Sequence, residues 1–264
     1  MPDVSIEHDG AVATVRIDRP QVRNAIARST IAELETALSR VEEGRSAVLV
    51  LRGAGERAFV SGGDLKELSA IRSMDSAVDM ALRMRRLLDR ISTMAIPTIA
   101  ALNGHALGGG AEIAVACDFR IAADDVMIAF NQSQLAIMPA WGGVERLVDL
   151  VGRSRALQLL LTGDRLRAVE AKRVGLVNLT PTRDEFDRAV SAFAASISAL
   201  PPTVSRSIKA SVNEASPNHH PALEQAAVQA FAELWVADDH WVAVEEVERA
   251  RRARAVPNGG GPGT

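Results

Sequence analysis

One carboxylate stands out in this sequence because its neighbours are almost all apolar residues or glycines. Glu112 follows the glycine run Gly108-Gly109-Gly110 and precedes Ile113-Ala114-Val115-Ala116-Cys117. A buried charge is costly unless something pairs with it or uses it. Because the segment reads as strand, glycine loop and helix, its first helical N–H groups favour a negative charge nearby. Glu112 is therefore either a catalytic carboxylate or a structural glutamate paired with an arginine.

A second glycine loop has the same arrangement. It reads Ala58-Phe59-Val60-Ser61-Gly62-Gly63-Asp64-Leu65-Lys66, follows a strand-like stretch at 47–51 and leads into a helix that Asp64 is placed to cap. Two such loops can each aim one backbone N–H at the same oxygen, which is an oxyanion hole made without side chains. No Gly-x-Ser-x-Gly elbow surrounds Ser61, and neither loop has dinucleotide or P-loop spacing. Nucleophilic serine chemistry and phosphate transfer are therefore not predicted.

The loop at 58–66, followed along the chain by the loop at 108–117, resembles the enoyl-CoA hydratase/isomerase (crotonase) family. The resemblance covers nearly the whole chain. It implies that the N–H groups of Gly63 and Gly109 hold the thioester oxygen of an acyl-CoA while an enolate forms. It also implies that Glu112 is one of the two glutamates that hydratases use, and that CoA enters as part of the substrate with no separate cofactor. Further matching positions are Arg19-Pro20, Asn24-Ala25, Asn103-Gly104, Cys117-Asp118, Pro139, Gly142-Gly143, Leu161-Thr162-Gly163, Ala171 and Gly175-Leu176-Val177.

The second glutamate of the family pattern is missing. Counting back from Pro139, the hydratase position falls on Gln132. A glutamine forms hydrogen bonds but cannot give or take a proton near neutral pH. Isomerases of this family usually rely on the same missing glutamate, so the sequence leaves Glu112 as the single acid or base.

Two alternatives stay open at this level. Pro139-Ala140-Trp141-Gly142-Gly143, together with Trp235, is similar to the branch that decarboxylates ethylmalonyl-CoA or methylmalonyl-CoA, which needs only one proton donor. A variant of that chemistry that uses tyrosine is excluded because the chain has no tyrosine. Trp141 itself is interpreted as a packing residue on the wall of the acyl pocket. The other alternative is a non-catalytic oligomer that only binds acyl-CoA, against which the intact glycine loops and Glu112 count.

The resemblance also implies a set of substrate contacts. Arg23 is expected near the entry loop, Lys66 near the adenine, and Arg249 on the last helix, reaching a neighbouring subunit. For each of these charges, a solvated surface position is the competing interpretation. The five histidines show no metal-ligand spacing, so no metal is predicted. The other residues assigned to substrate binding are Ala58, Ser61, Gly62, Asp64, Gln132, Trp141 and Trp235.

The fold class expected from alternating strand and helix patterns is α/β. By resemblance it is a crotonase-like spiral of ββα turns at 1–200 with a C-terminal helical trimerisation region at 201–255, giving a homotrimer or hexamer. A flexible tail is predicted at 256–264. The 264 residues are 47% hydrophobic with a net charge of −3, and no apolar run suits a membrane span or secretion signal. Neither nucleic acid nor membrane partners are expected, and the predicted location is the cytoplasm.

The N-terminal segments predict a hairpin around Asp9-Gly10 and a first helix that ends at Gly44. Thr30 and Glu33 have the spacing of a capping box for that helix.

Overall fold

The computed structural model describes residues 2–215 and 221–255 of the chain. The strands in this part of the chain are β1 (Val4–Asp9), β2 (Val12–Ile17), β3 (Val48–Gly53), β4 (Ala58–Val60), β5 (Thr98–Leu102), β6 (His105–Leu107), β7 (Phe119–Ala122), β8 (Met127–Ala129) and β9 (Leu166–Arg167). The helices are α1 (Arg28–Glu43), α2 (Leu65–Leu68), α3 (Met74–Thr93), α4 (Gly109–Ala116), α5 (Gly143–Val151), α6 (Arg153–Thr162), α7 (Ala168–Arg173), α8 (Phe186–Ser198), α9 (Pro202–Ala215), α10 (Pro221–Val236) and α11 (Asp238–Ala255). Short 3₁₀ helices lie at Pro20–Val22, Gln132–Leu135 and Arg183–Glu185.

Two sheets organise the fold. The first has the strand order β1-β2-β3-β5-β7, and the second has the order β4-β6-β8-β9. Strands β3, β5 and β7 belong to the first sheet, and each is followed by a strand of the second sheet and then by a helix. The α/β class and the repeating ββα arrangement are therefore confirmed. All five residues of β5 are buried, which explains why Ile99-Ala100-Ala101-Leu102 is a continuous apolar run rather than an alternating pattern.

The second sheet determines which loops become neighbours. β4 pairs with β6, and β6 pairs with β8, in both cases in parallel. Because parallel strands end at the same edge, the segments that follow them lie side by side. We call the segments at 61–64, 108–111 and 130–135 the loop edge.

The last helices are attached to this core by specific contacts. On α9, the buried Lys209 donates from Nζ to Asp118 Oδ2 at 2.7 Å and to the carbonyl of Ile96 at 3.0 Å. Helix α10 packs along α3, and α11 packs against the 3₁₀ helix Gln132–Leu135. The C-terminal helices therefore reach the loop edge.

The predicted hairpin and the end of α1 at Gly44 are confirmed, but the predicted capping box is wrong. Thr30 lies inside α1, where its hydroxyl accepts from the N–H of Ala27 and donates to Asp3. The carboxylate of Glu33 instead accepts from the N–H of Val4. The prediction fails because α1 already begins at Arg28, so Thr30 is the third helical residue and caps the N–H of Ala27, while Glu33 binds the first strand.

Two further expectations concern membrane-spanning helices and the C-terminal tail. Within the described ranges, no helix is both long and apolar enough to span a bilayer. The tail predicted at 256–264 lies outside the described residues.

Candidate active site

Glu112 directly follows the segment 108–111 of the loop edge. It lies in the first turn of α4, a helix in which every residue is buried, and is itself only 2% exposed. Its Oε2 accepts hydrogen bonds from the backbone N–H groups of Trp141 at 2.9 Å and Gly143 at 3.0 Å. Its Oε1 accepts from Nε2 of Gln132 at 2.9 Å. The carboxylate therefore has three N–H donors, and none of them belongs to an arginine.

The surroundings of Glu112 act on its pKa in opposite directions. Burial favours the neutral acid, while the donors from Gly143, Trp141 and Gln132 and the nearby charge of Arg146 favour the carboxylate. Burial has the larger effect and raises the pKa of Glu112 from its ordinary 4.5 to about 7. A group with such a pKa exchanges a proton readily near neutral pH.

The backbone beside Glu112 includes two N–H groups without acceptors in the part of the chain that the structure describes. Gly109 is the first residue of α4, so its N–H has no partner within the helix. Gly63 forms an isolated parallel β-bridge with Ile26. The N–H of Ile26 donates to the Gly62 carbonyl, and the N–H of Asp64 donates to the Ile26 carbonyl. The Gly63 N–H therefore points away from Ile26. Among the described residues, neither the Gly63 nor the Gly109 N–H has a hydrogen-bond acceptor.

Trp141 lies against both glycine loops. A Cβ added to Gly109 would meet the indole at 2.0 Å, and one added to Gly63 would lie 3.9 Å from its Cη2 atom. A Cβ on Gly62 would lie 3.6 Å from the Gly109 nitrogen, which places the two loops in direct contact. The indole is 7% exposed and forms a wall beside the two N–H groups.

The segment that carries Trp141 is fixed by Arg146 on α5. Its Nη1 donates to the Trp141 carbonyl at 3.1 Å, and its Nη2 donates to Asp89 on α3 at 2.5 Å. Gly143 completes the arrangement, because a Cβ there would lie 2.5 Å from Glu112 Cγ and 2.8 Å from its Oε2. Only a glycine lets the backbone approach the carboxylate this closely.

A cluster on the C-terminal helices touches the same region. We call Phe231, Trp235, His240 and Trp241 the aromatic cluster, in which successive ring centroids lie 4.6 to 5.6 Å apart. Nε1 of Trp235 donates at 3.1 Å to the carbonyl of Ile71, which lies in the segment after α2. Nδ1 of His240 lies 2.6 Å from the Leu135 carbonyl in the 3₁₀ helix that carries Gln132. Since a carbonyl only accepts, Nδ1 carries the proton in this contact.

The structure brings together Glu112, Gly63, Gly109, Gln132 and Trp141, while the remaining predicted residues lie around them or apart. Ala58 is buried in β4, and its carbonyl accepts from Asn24. Ser61 is half-buried, and its N–H donates to the carbonyl of the exposed Arg23. Lys66 is exposed on α2. Arg249 is exposed on α11, where it lines a small surface hollow with Glu245, Glu248 and Arg252.

Asp64 precedes α2 as predicted, but its side chain does not cap that helix. It forms an ion pair with Arg19 at 3.1 Å instead. The cap prediction is wrong because a charged partner from the N-terminal segment takes the carboxylate.

Sequence reasoning missed several residues that build the site. Arg146, Asp89 and His240 act through contacts between distant parts of the chain, for which the sequence offers no local signal. The resemblance names Gly143 only as part of the pair Gly142-Gly143. Its position after a proline and an aromatic residue is a signal that could have indicated a close approach of the backbone to another side chain. Within the described residues, no cluster of three or more His, Cys, Asp or Glu side chains suits a metal ion.

Comparison with known proteins identifies the family of the chain. The model of the enoyl-CoA hydratase/isomerase family matches residues 7–250. The chain is 34% identical over 212 residues to the short-chain-enoyl-CoA hydratase of Clostridium acetobutylicum, covering 80% of this chain and 81% of that protein. It is 36% identical over 213 residues to the crotonyl-CoA hydratase of Syntrophomonas wolfei subsp. wolfei, covering 80% and 82%.

Solved structures show the same relationship. The crystal structure of an enoyl-CoA hydratase/isomerase from Xanthobacter autotrophicus Py2 superposes with a TM-score of 0.87 at 26% identity, covering 99% of each chain. An enoyl-CoA hydratase from Bacillus anthracis gives a TM-score of 0.78 at 29% identity, covering 94% of this chain and 96% of that one. By sequence and by the crotonase fold, the chain belongs to the enoyl-CoA hydratase/isomerase family.

Proposed function

We propose that this protein hydrates or isomerises an enoyl-CoA through a thioester enolate. The N–H groups of Gly63 and Gly109 form the oxyanion hole, where the thioester oxygen gains negative charge. Support comes from the lack of acceptors for these two N–H groups in the described chain and from the position of Gly109 at the N-terminus of α4. The hydratase and isomerase names of the relatives point to the same substrate class.

Glu112 is the group that moves the proton. In hydration it takes a proton from water while the water oxygen bonds to the carbon β to the thioester, and it then returns the proton to the α carbon of the enolate. In isomerisation it takes the proton from the α carbon and returns it to the γ carbon. In both proposed reactions Glu112 is the one proton carrier. The single observation that carries the proposal is a buried carboxylate, with a pKa of about 7, beside two N–H groups that have no acceptor among the described residues.

The remaining predicted residues bind and orient the substrate. Trp141 forms a wall of the acyl pocket, while the exposed Arg23 and Lys66 contact the CoA portion. Arg249 reaches the CoA of a neighbouring subunit. The glycine loop at 58–64 carries the other contacts, and Trp235 supports it through Ile71. No separate cofactor is required, because CoA arrives with the substrate.

The working form is a cytoplasmic homotrimer or hexamer. Support comes from α9, where Ser205 and Lys209 face inward and are buried. The apolar Val204, Ile208 and Val212 are 43%, 56% and 63% exposed. A helix that turns its apolar stripe outward fits a surface that is covered by another subunit.

Neither alternative from the sequence is favoured. The relatives and solved structures described above are named as hydratases or isomerases, so decarboxylation of an alkylmalonyl-CoA has no support beyond Trp141 and Trp235. A non-catalytic acyl-CoA-binding oligomer is disfavoured by the family relationship, which is to enzymes.

The test is to incubate the protein with enoyl-, hydroxyacyl- and alkylmalonyl-CoA esters and to identify the products by mass. We expect turnover of an enoyl-CoA, and a fall in kcat of about 10² to 10⁴ in Glu112→Gln with acyl-CoA binding retained. Glu43→Gln, at an exposed position at the end of α1, is the matched control. Wild-type-like turnover in Glu112→Gln would remove Glu112 from the mechanism. Carbon dioxide release from an alkylmalonyl-CoA with inert enoyl esters would replace the proposed reaction by decarboxylation.

A further inference from the structure

The two oxygens of Glu112 have different surroundings. Oε2 accepts from two backbone N–H groups, those of Trp141 and Gly143, whereas Oε1 accepts only from Gln132. A carboxylate oxygen has two lone pairs. Oε2 is therefore saturated, and Oε1 keeps one lone pair that can take a proton.

Gln132 decides which way this carboxylate faces. Its side chain is 6% exposed, and its amide nitrogen is committed to Glu112. An ionised carboxylate only accepts, so the NH₂ end of the amide must face it. The amide is not a fully satisfied structural link, because among the described residues Gln132 Oε1 is buried and has no hydrogen-bond partner. That orphaned acceptor indicates a group that is built to face a reacting molecule.

We propose that Gln132 is a positioning residue that turns Glu112 so that proton transfer passes through Oε1 alone. This inference rests on the proposed function and deepens it. Gln132 carries no proton itself, and it does not replace the missing glutamate of the family pattern. It holds the one remaining glutamate in a single rotamer.

Gln132→Met tests the proposal because methionine keeps the length of the side chain and removes the donor. Without that N–H, the charged form of Glu112 loses one contact that lowers its pKa, so the midpoint of the pH profile of kcat/KM should move upward from the wild-type value. Oε1 then has no side-chain donor to orient it, although the two backbone N–H groups still hold Oε2, and kcat should also fall by about 10²-fold while KM changes little. If Gln132→Met folds poorly, Gln132→Asn keeps the amide but is too short to reach, and the same changes are expected.

Gln134→Met is the matched control, since Gln134 lies on the same 3₁₀ helix, is exposed and donates from Nε2 to the Gly163 carbonyl at 3.5 Å rather than to Glu112. It should keep the wild-type midpoint and kcat. A wild-type pH midpoint in a folded Gln132→Met protein would overturn the proposal, whether or not kcat falls. Full activity in Glu112→Gln would overturn the proposed function itself, so the two failures can be told apart.

Discussion

Glu112 combines a stability cost with its proposed role. The folded chain keeps the Glu112 proton up to about pH 7, whereas an unfolded glutamate loses it near pH 4.5. Between these values the unfolded state binds fewer protons than the folded state, so stability falls as pH rises. The full loss above about pH 7 amounts to about 3 kcal/mol. The site therefore has a carboxylate whose charged form the fold does not favour.

The fall in stability with rising pH gives a prediction for Glu112→Gln, because glutamine cannot ionise at this position. Its free energy of unfolding relative to the wild type should rise between about pH 4.5 and about pH 7 and then stay level. Urea unfolding at several pH values, followed by circular dichroism, measures the difference. Glu43→Gln should show a flat difference over the same range. A flat difference for Glu112→Gln as well would mean that Glu112 has an ordinary pKa in the folded protein.

Among the elements, the aromatic cluster holds one segment of the loop edge and the segment that follows α2. Trp235 donates to the carbonyl of Ile71, just after α2, and His240 donates to the carbonyl of Leu135, at the end of the 3₁₀ helix that begins at Gln132. Arg72 also stacks on Trp241 with its guanidinium carbon 3.5 Å from the ring centroid. Helices α10 and α11 thus help to fix the geometry around Glu112, although they contribute no group to it.

His240→Phe removes the contact with Leu135 and keeps the ring stacking. We expect a loss of about 1 kcal/mol in stability, typical of one hydrogen bond. We also expect kcat to fall severalfold, because the 3₁₀ helix that carries Gln132 loses an anchor. His8→Phe, at an exposed position on β1, is the control. A destabilised variant with wild-type kcat would limit the cluster to a structural role.

Local patterns were sufficient for the elements that carry Glu112 and the glycine loops. Strand, glycine run and helix follow one another directly in the sequence, so α4 and its first turn were predictable. The contact between Arg146 and Asp89 spans 57 residues, and that between His240 and Leu135 spans 105. Periodicity and spacing contain no information about such partners. The cap predicted at Asp64 is wrong for the same reason, since Arg19 from elsewhere in the chain pairs with that carboxylate, whereas the one at Thr30 is wrong because α1 already begins at Arg28.

At the scale of the whole molecule, α9 is the feature that a single subunit does not explain. Its buried face carries a lysine and a serine, and its exposed stripe is formed by Val204, Ile208 and Val212. Such a stripe at spacing i, i+4, i+8 lies along one side of a helix. In the proposed trimer or hexamer this side is removed from water.

Ile208→Asp should therefore shift the protein toward monomers, because a charge in a subunit contact is left unpaired and desolvated. Size-exclusion chromatography with light scattering measures the mass. Ala210→Asp places the same charge at an exposed position on α9 outside the stripe and should leave the mass unchanged. An unchanged mass in Ile208→Asp would show that the stripe is not a subunit contact.

The distribution of tryptophan gives the molecule two separate optical reporters. The chain has three tryptophans and no tyrosine, so its intrinsic fluorescence comes from indole alone. Trp141 lies against Gly109 at the loop edge, whereas Trp235 and Trp241 lie together beside His240 on the C-terminal helices. Emission that Trp141→Phe removes reports on the surroundings of Gly109, and the remainder reports on the packing of α10 and α11. Ligand entry beside Gly109 and changes in that packing can thus be followed separately in one unlabelled protein.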